Sequence, residues 1–322
     1  MLYPLKFIPI YKERIWGGQN MEKYLNRNLE PLKKIGESWD ISDRNEDCSI
    51  ISNGEFAGKS LRWLMENYRK ELMGEHEYSK FPLLYKYIDA NNDLSVQVHP
   101  DDTYADSYKL GEPGKTEAWY IVHAEPEAKL IAGLKKVVSK KEFNASMKNN
   151  TLIEKLHEIR VKNGDVLFIP SGRLHAIMKG VVLNEIQQNS DITFRVYDWG
   201  RTGFDGNPRP LHIKEALEVV DFKDYEPELV KKKWLAKCGN SYAKIINCRY
   251  FTIEEYRLKT EIKLKCNGNF KGISILEGSF RIKYKDGAID CVKGESVLIP
   301  TEIEKYCIIP DSETIILISC AK

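Results

Sequence analysis

The sequence predicts a mainly β protein made of two similar β-barrel units, with a few helices inserted in or flanking the first. Two observations carry this. Short apolar runs with period-2 alternation recur along the chain and are punctuated by Gly, Pro and Asn-Gly. Two segments also echo each other. Gly164-Asp-Val-Leu-Phe-Ile-Pro170 and Gly294-Glu-Ser-Val-Leu-Ile-Pro300 share glycine, acid, a spacer, isoleucine and proline. The first copy continues Ser171-Gly-Arg-Leu-His175; in the second, Lys305 takes the place of that histidine. One functional barrel and one structural barrel are expected.

The elements follow in order. Residues 1–55 give short strands and turns around Ile15-Trp16-Gly17-Gly18, Gly36-Glu37-Ser38-Trp39-Asp40-Ile41-Ser42 and the turn signal Asn53-Gly54. Ser60 suits a helix N-cap, Leu61, Leu64, Met65, Tyr68 and Leu72 share a face, and Gly74 suits the C-terminal end. Strands are predicted over 81–88, 94–99, 116–123 and 129–138. Ser139 and Glu142 form a capping-box pattern for a helix over 139–148, with a second helix near 151–158. Strands return at 164–169, 174–178, 181–187 and 194–199. A Gly/Pro-rich loop (200–210), a helix at 212–220 and a charged linker (221–234) precede a strand-rich remainder. The division expected is 1–235 and 236–322.

Composition removes several function classes. The 322 residues leave room for two domains, and 42% hydrophobic content supports a core. The 49 basic and 47 acidic residues nearly cancel, so neither nucleic acid nor a strongly charged partner is indicated. No run approaches the ~18 apolar residues that span a bilayer. The opening Met1 to Ile10 is apolar but contains Pro4 and Pro9 and lacks a basic leader, so it reads as an edge strand. Seven scattered cysteines, with no Cys-x-x-Cys pair, point to reduced thiols in a cytoplasmic protein.

The chemistry starts at Leu94-Ser-Val-Gln97-Val-His99-Pro100. Alternation puts Gln97 and His99 on one strand face, and Pro100 ends the strand. The pair is either half of a metal site or a polar sheet face. Gly164-x5-Pro170-x-Gly172-x2-His175 resembles the second motif of the cupin barrels, a double-sheet jelly-roll fold. In cupins the partner is usually His-x-His followed by Glu. Here it is Gln97-Val98-His99 with Glu117 further on. Gln97, His99, Glu117 and His175 together offer two nitrogens and two oxygens. Zinc accepts imidazole and carboxylate; iron and manganese do too.

Taken together the motifs resemble the type I phosphomannose isomerases in their short bacterial form. The resemblance rests on Ser95 to Asp102, Gly114-Lys115-Thr116-Glu117, the Pro170 to His175 loop, Asn184-Glu185 through Asp191 and Arg195 to Arg201, and the two Trp motifs near the start. It implies cupin-type barrels and one Zn2+ per chain held by Gln97, His99, Glu117 and His175. It implies a hexose 6-phosphate substrate, mannose 6-phosphate and fructose 6-phosphate being interconverted, and an active-site Arg195. Lys115 matches a lysine near the substrate. Such an isomerisation needs a base of tuned pKa, a donor for the sugar oxygen and a fixed substrate. A nearby metal and desolvation are expected to lower the Lys115 pKa. Glu185 and Asp191 compete as base. Glu185 ranks first, because Glu185 and Gln187 alternate on a strand leading toward Arg195.

The blander readings are concrete. Arg195 pairs with Asp191 or Asp198, Lys115 is a loop lysine, and Ser95 is an ordinary strand serine. Trp16 and Trp39 are core, while His76, His123, His157 and His212 lack ligand context. Gly203 to Gly206 is a lid or a plain surface loop. The rival functions are a sugar-phosphate-binding cupin without turnover and an iron-dependent oxidoreductase. Gln97 in place of a histidine disfavours the second. A monomer or weak dimer is expected.

Overall fold

The alternation becomes antiparallel sheets in a computed structural model, which describes residues 1–149 and 151–322. A six-stranded sheet runs Ile10–Gly18, Ile35–Ile41, Leu83–Ala90, Val181–Gln188, Glu117–Ala124, Val166–Ile169. A five-stranded sheet runs Phe194–Tyr197, Val96–Val98, His175–Ile177, Lys129–Leu134, Leu156–Arg160. Trp16, Ile88, Trp119, Leu130, Leu167 and Ile177 from both sheets meet in one core, so the pair forms a double-sheet barrel.

The second barrel repeats the plan. Its larger sheet runs Leu5–Lys6, Ser296–Ile299, Lys271–Glu277, Thr314–Ala321, Phe251–Leu258, Asn240–Asn247, Leu235–Lys237. Its smaller sheet runs Ile262–Lys265, Lys305–Pro310, Ser279–Tyr284, Gly287–Val292. Ile273, Ile275, Phe280, Val297, Ile308 and Ile316 fill the space between them. The opening residues do form an edge strand, but of this distant sheet: Leu5 pairs with Leu298 and Lys6 with Val297.

Strands Leu83–Ala90 and Val181–Gln188 are buried at every position, because both faces of their sheet are covered. One face looks into the first barrel. The other sends Leu83, Tyr85, Tyr87, Val182 and Ile186 into a core shared with Phe270, Leu276, Leu298 and Leu317 of the second. Tyr85 and Ser319 hydroxyls meet there at 2.7 Å. Gly272 makes this approach possible, since a Cβ on it would stand 2.1 Å from the Tyr85 hydroxyl.

The helices follow their caps. The Ser60 hydroxyl accepts from Trp63 N, starting Leu61–Asn67; the chain breaks at Tyr68 and resumes as Arg69–Met73, ending at Gly74. Ser139 and Glu142 form the reciprocal capping box of Lys140–Lys148. The helix expected near 151–158 is instead one 3-10 turn, Leu152–Lys155, followed by strand Leu156–Arg160. Pairing of that strand with Lys129–Leu134 wins over local helical pattern. Helix Ile213–Val219 buries Ala216 beside Phe194 and Val196, outside the five-stranded sheet.

Candidate active site and metal centre

Strand register assembles the site before any side chain is considered. Gln97 stands opposite His175 on one neighbour and Arg195 on the other. Directly paired residues point the same way, so these three form a row on the inner face of the smaller sheet. His99 is the next inward position along. On the larger sheet Glu117 pairs with Gln187 and Ile169, while Trp39, Lys86, Glu185 and Trp119 form a second row. The loop Pro100 to Thr116 carries Lys115 to the same mouth. Its approach needs Gly114, where a Cβ would sit 2.4 Å from the Asp101 carbonyl carbon.

Three groups converge on one point. Ligand atoms of His99, Glu117 and His175 all lie within 4.8 Å of one another, and all three side chains are buried. His99 Nδ1 lies 2.7 Å from the Ile192 carbonyl and His175 Nδ1 lies 2.9 Å from the Arg173 carbonyl. A carbonyl only accepts, so each Nδ1 carries the proton and each Nε2 lone pair faces inward. Burial, first of all, pulls both imidazole pKa values down, that of His175 to about 3. The rings are therefore neutral, the form that can hold a metal ion. Their contacts with Glu117, 3.6 Å and 3.4 Å, are not ion pairs.

The set fits a cation. His175 Nε2 and both Glu117 carboxylate oxygens are buried without a hydrogen-bond partner, a costly state for protein groups alone. The Lys115 ammonium stands in: Nζ lies 2.8 Å from Glu117 Oε2 and 3.1 Å from His99 Nε2. Its contact with Glu117 is close without the alignment of a hydrogen bond. A positive charge thus already occupies the space that these lone pairs address. Gln97 occupies the adjacent inward position, half-buried and opposite His175.

The acids and bases are coupled. Burial works against the Lys115 ammonium, but Glu117 and then Glu185 carry its pKa above the ordinary lysine value. The expectation from sequence counted desolvation and a metal ion; these metal-free groups add two buried carboxylates that oppose the desolvation. Glu185 moves up as well, through burial and the Glu117 charge. Trp119 Nε1 donates to Glu185 Oε2 at 2.8 Å, leaving Oε1 without a hydrogen bond. Lys86 Nζ lies 3.5 Å from that free oxygen, 3.8 Å from Glu37 and 3.7 Å from Asp191. Against its burial, Lys86 and Arg14 hold the Glu37 pKa down at about 2.

Arg195 is not tied up by an acid. Asp198 is taken by Arg201 and Arg209, and Asp191 lies near Lys86. Arg195 donates from one terminal nitrogen to the Pro210 carbonyl at 2.9 Å, while its buried Nε has no partner. His212 Nδ1 accepts from the Arg195 backbone N–H, so a histidine without ligand context has a fixing role. Ser95, Trp16 and Trp39 are buried, and His123 stacks on Tyr24. Gly203 to Gly206 form a turn closed by a Gly206 N–H to Gly203 carbonyl bond. Sequence reasoning missed Lys86 and Glu37. A signal existed: Lys86 is the one cation inside Leu83-Leu-Tyr-Lys86-Tyr-Ile88, and a lysine in a buried strand needs a reason.

Comparison with known proteins agrees with this geometry. Residues 4–115 match the family described as phosphomannose isomerase type I, catalytic domain, and residues 242–318 match the mannose-6-phosphate isomerase cupin domain. The chain is 36% identical over 304 residues to mannose-6-phosphate isomerase ManA of Bacillus subtilis, covering 94% of this chain and 95% of that one. It is 34% identical to a mannose-6-phosphate isomerase of Streptococcus mutans, covering 98% of each. A crystal structure of the mannose 6-phosphate isomerase from Bacillus subtilis superposes with a TM-score of 0.92 at 32% identity, covering 99% of both chains. With relatives matched from end to end and the inward-facing cluster built from the motif residues, the chain belongs to the type I phosphomannose isomerase family.

Proposed function

We propose that this chain interconverts D-mannose 6-phosphate and D-fructose 6-phosphate, with one zinc ion held by Gln97, His99, Glu117 and His175. The observation that carries the reading is the buried His99–Glu117–His175 cluster, with unsatisfied lone pairs turned to one point, in a chain of this family. Zinc held there would act on the sugar oxygens as a Lewis acid or as a template. The protein's own groups supply the rest. The reaction moves a proton between C1 and C2 of the sugar. Glu185 is the base: burial and Glu117 raise its pKa toward the working range, and Trp119 fixes one oxygen so that the other is presented. Lys115, placed beside Glu117 at the mouth, donates to the sugar oxygen that gains charge. Arg195 offers unpaired N–H groups to an anionic oxygen of the substrate.

In this reading residues 1–235 form the catalytic unit and 236–322 a smaller unit without metal. The protein works in the cytoplasm as a monomer or weak dimer. The test is a turnover assay on purified, metal-loaded protein. Mannose 6-phosphate yields fructose 6-phosphate, a chelator abolishes the conversion, and zinc restores it. Binding without conversion by the loaded protein would select the non-catalytic sugar-phosphate-binding alternative.

A further inference from the structure

We propose that the mouth of the second barrel is a binding site for a phosphorylated small molecule, separate from the catalytic mouth. The argument begins with register. In the first barrel Glu117 pairs with Ile169 of the Gly164 to Pro170 segment; in the second, Lys271 pairs with Ile299 of the matching segment. Lys271 therefore takes the place of Glu117. In the first barrel His175 pairs with Gln97; in the second the inward residue Tyr306 pairs with Leu264. Tyr306 and Ile308 belong to the second core, as Ile177 belongs to the first, so Tyr306 is the counterpart of His175. Lys305, matched to His175 by sequence spacing alone, is one residue out and faces outward. The metal ligand positions thus become Leu264, Cys266, Lys271 and Tyr306. Pairing outward from Lys271 places Glu254 where Lys86 stands, since both lie opposite the Ile318 or Glu185 position. A carboxylate centre has become a cationic one.

A cavity of about 360 Å³ opens at this mouth. Small-ligand sites start at roughly that size. Lys237, Lys263, Lys265 and Lys271 line it, with Tyr306 among the walls and Glu254 as its acid. Tyr256 donates to Glu254 at 2.9 Å. Among the described residues none of the four lysines makes an ion pair, whereas Lys6, Lys12, Lys86, Lys115 and Lys232 all do. Lys271 stands at the inward position and Lys237, Lys263 and Lys265 at the exposed rim, so the net positive lining favours a multiply charged anion over a carboxylate. Lys271 is partly buried at the barrel position that points to the cavity.

The experiment counts bound fructose 6-phosphate per chain by equilibrium dialysis on the metal-loaded protein. Wild type is compared with a variant carrying Lys265→Glu and Lys271→Glu. The readout is the difference in bound equivalents, which stands whatever the first mouth binds. The expected difference is one equivalent, with turnover kept within about twofold because the two mouths are well apart in the chain's two barrels. Equal stoichiometry in the two proteins overturns the proposal. A pair of Lys→Met changes at the same positions guards against misfolding by charge reversal and should remove the same equivalent. Excess inorganic phosphate displaces that equivalent if the phosphate group is what is recognised; resistance to it assigns the sugar a share of the contact.

Discussion

The two barrels share a frame and differ in what they bury. The inner face of the first carries Glu117, Glu185, Lys86 and Glu37, all buried, with several polar atoms unsatisfied. The matching face of the second is Ile273, Ile275, Val297, Ile299, Ile316 and Ile318, with charge only at the rim. Buried charges are expensive unless paired, whereas buried isoleucine is stabilising. The comparison teaches where function sits relative to rigidity. The first barrel spends stability on reactive groups, and the second lies against the outer face of the sheet that holds them. Tyr85 and Tyr87, which neighbour Lys86 in sequence, are fixed by packing into the shared core.

Substitutions can break or sharpen this contrast. The largest effect is expected from paired changes at matched positions. His175→Ala should lose both metal and turnover, while Tyr306→Ala should leave both near wild type. Metal analysis with a turnover assay checks this; full metal retention by His175→Ala would remove that residue from the ligand set. Next come the two groups proposed as base and as anion holder. Glu185→Gln should lower kcat by about 10²- to 10⁴-fold. Arg195→Ala should lower it by about 10²- to 10³-fold. Both should keep metal content, and an Asp191→Asn variant that matched the Glu185→Gln loss would move the base to Asp191.

A smaller effect is expected in acid. The folded Glu37 pKa, about 2, lies below the unfolded value of 4.5. Its contribution, on the order of 3 kcal/mol, is complete above the unfolded pKa and is lost as pH falls from there through the folded one. Melting of the metal-free chain should show that loss, and Glu37→Gln should show much less of it. The smallest effect tests the seam. Tyr85→Phe removes the hydroxyl contact with Ser319 and should cost about 1 kcal/mol, read by urea unfolding. No change at all would mean that this hydroxyl contact adds nothing to the seam.

Much of this was legible in the sequence because it is written in short-range pattern. Alternation at Leu94 to His99, the cap at Ser60 and the box at Ser139 and Glu142 each specify local geometry. Gln97 and His99 share a face by strand period alone. Other features depend on partners far away in the chain. Strand Leu156–Arg160 exists because Lys129–Leu134 offers it an edge. Lys115 meets a second buried carboxylate because Glu185 arrives from another strand. The slip from Lys305 to Tyr306 lies in a loop whose path spacing does not record, and one residue of slip turns a side chain from cavity to solvent.

The pairing of Leu5–Lys6 with Val297 and Leu298 has a consequence for how the chain is made. Leu5–Lys6 waits for a partner made about 290 residues further along the chain. Until then its edge of N–H and C=O groups stays open, and the short length and Pro4 limit what else can join it. Closure of that seam comes only after the strands on both of its sides have been made.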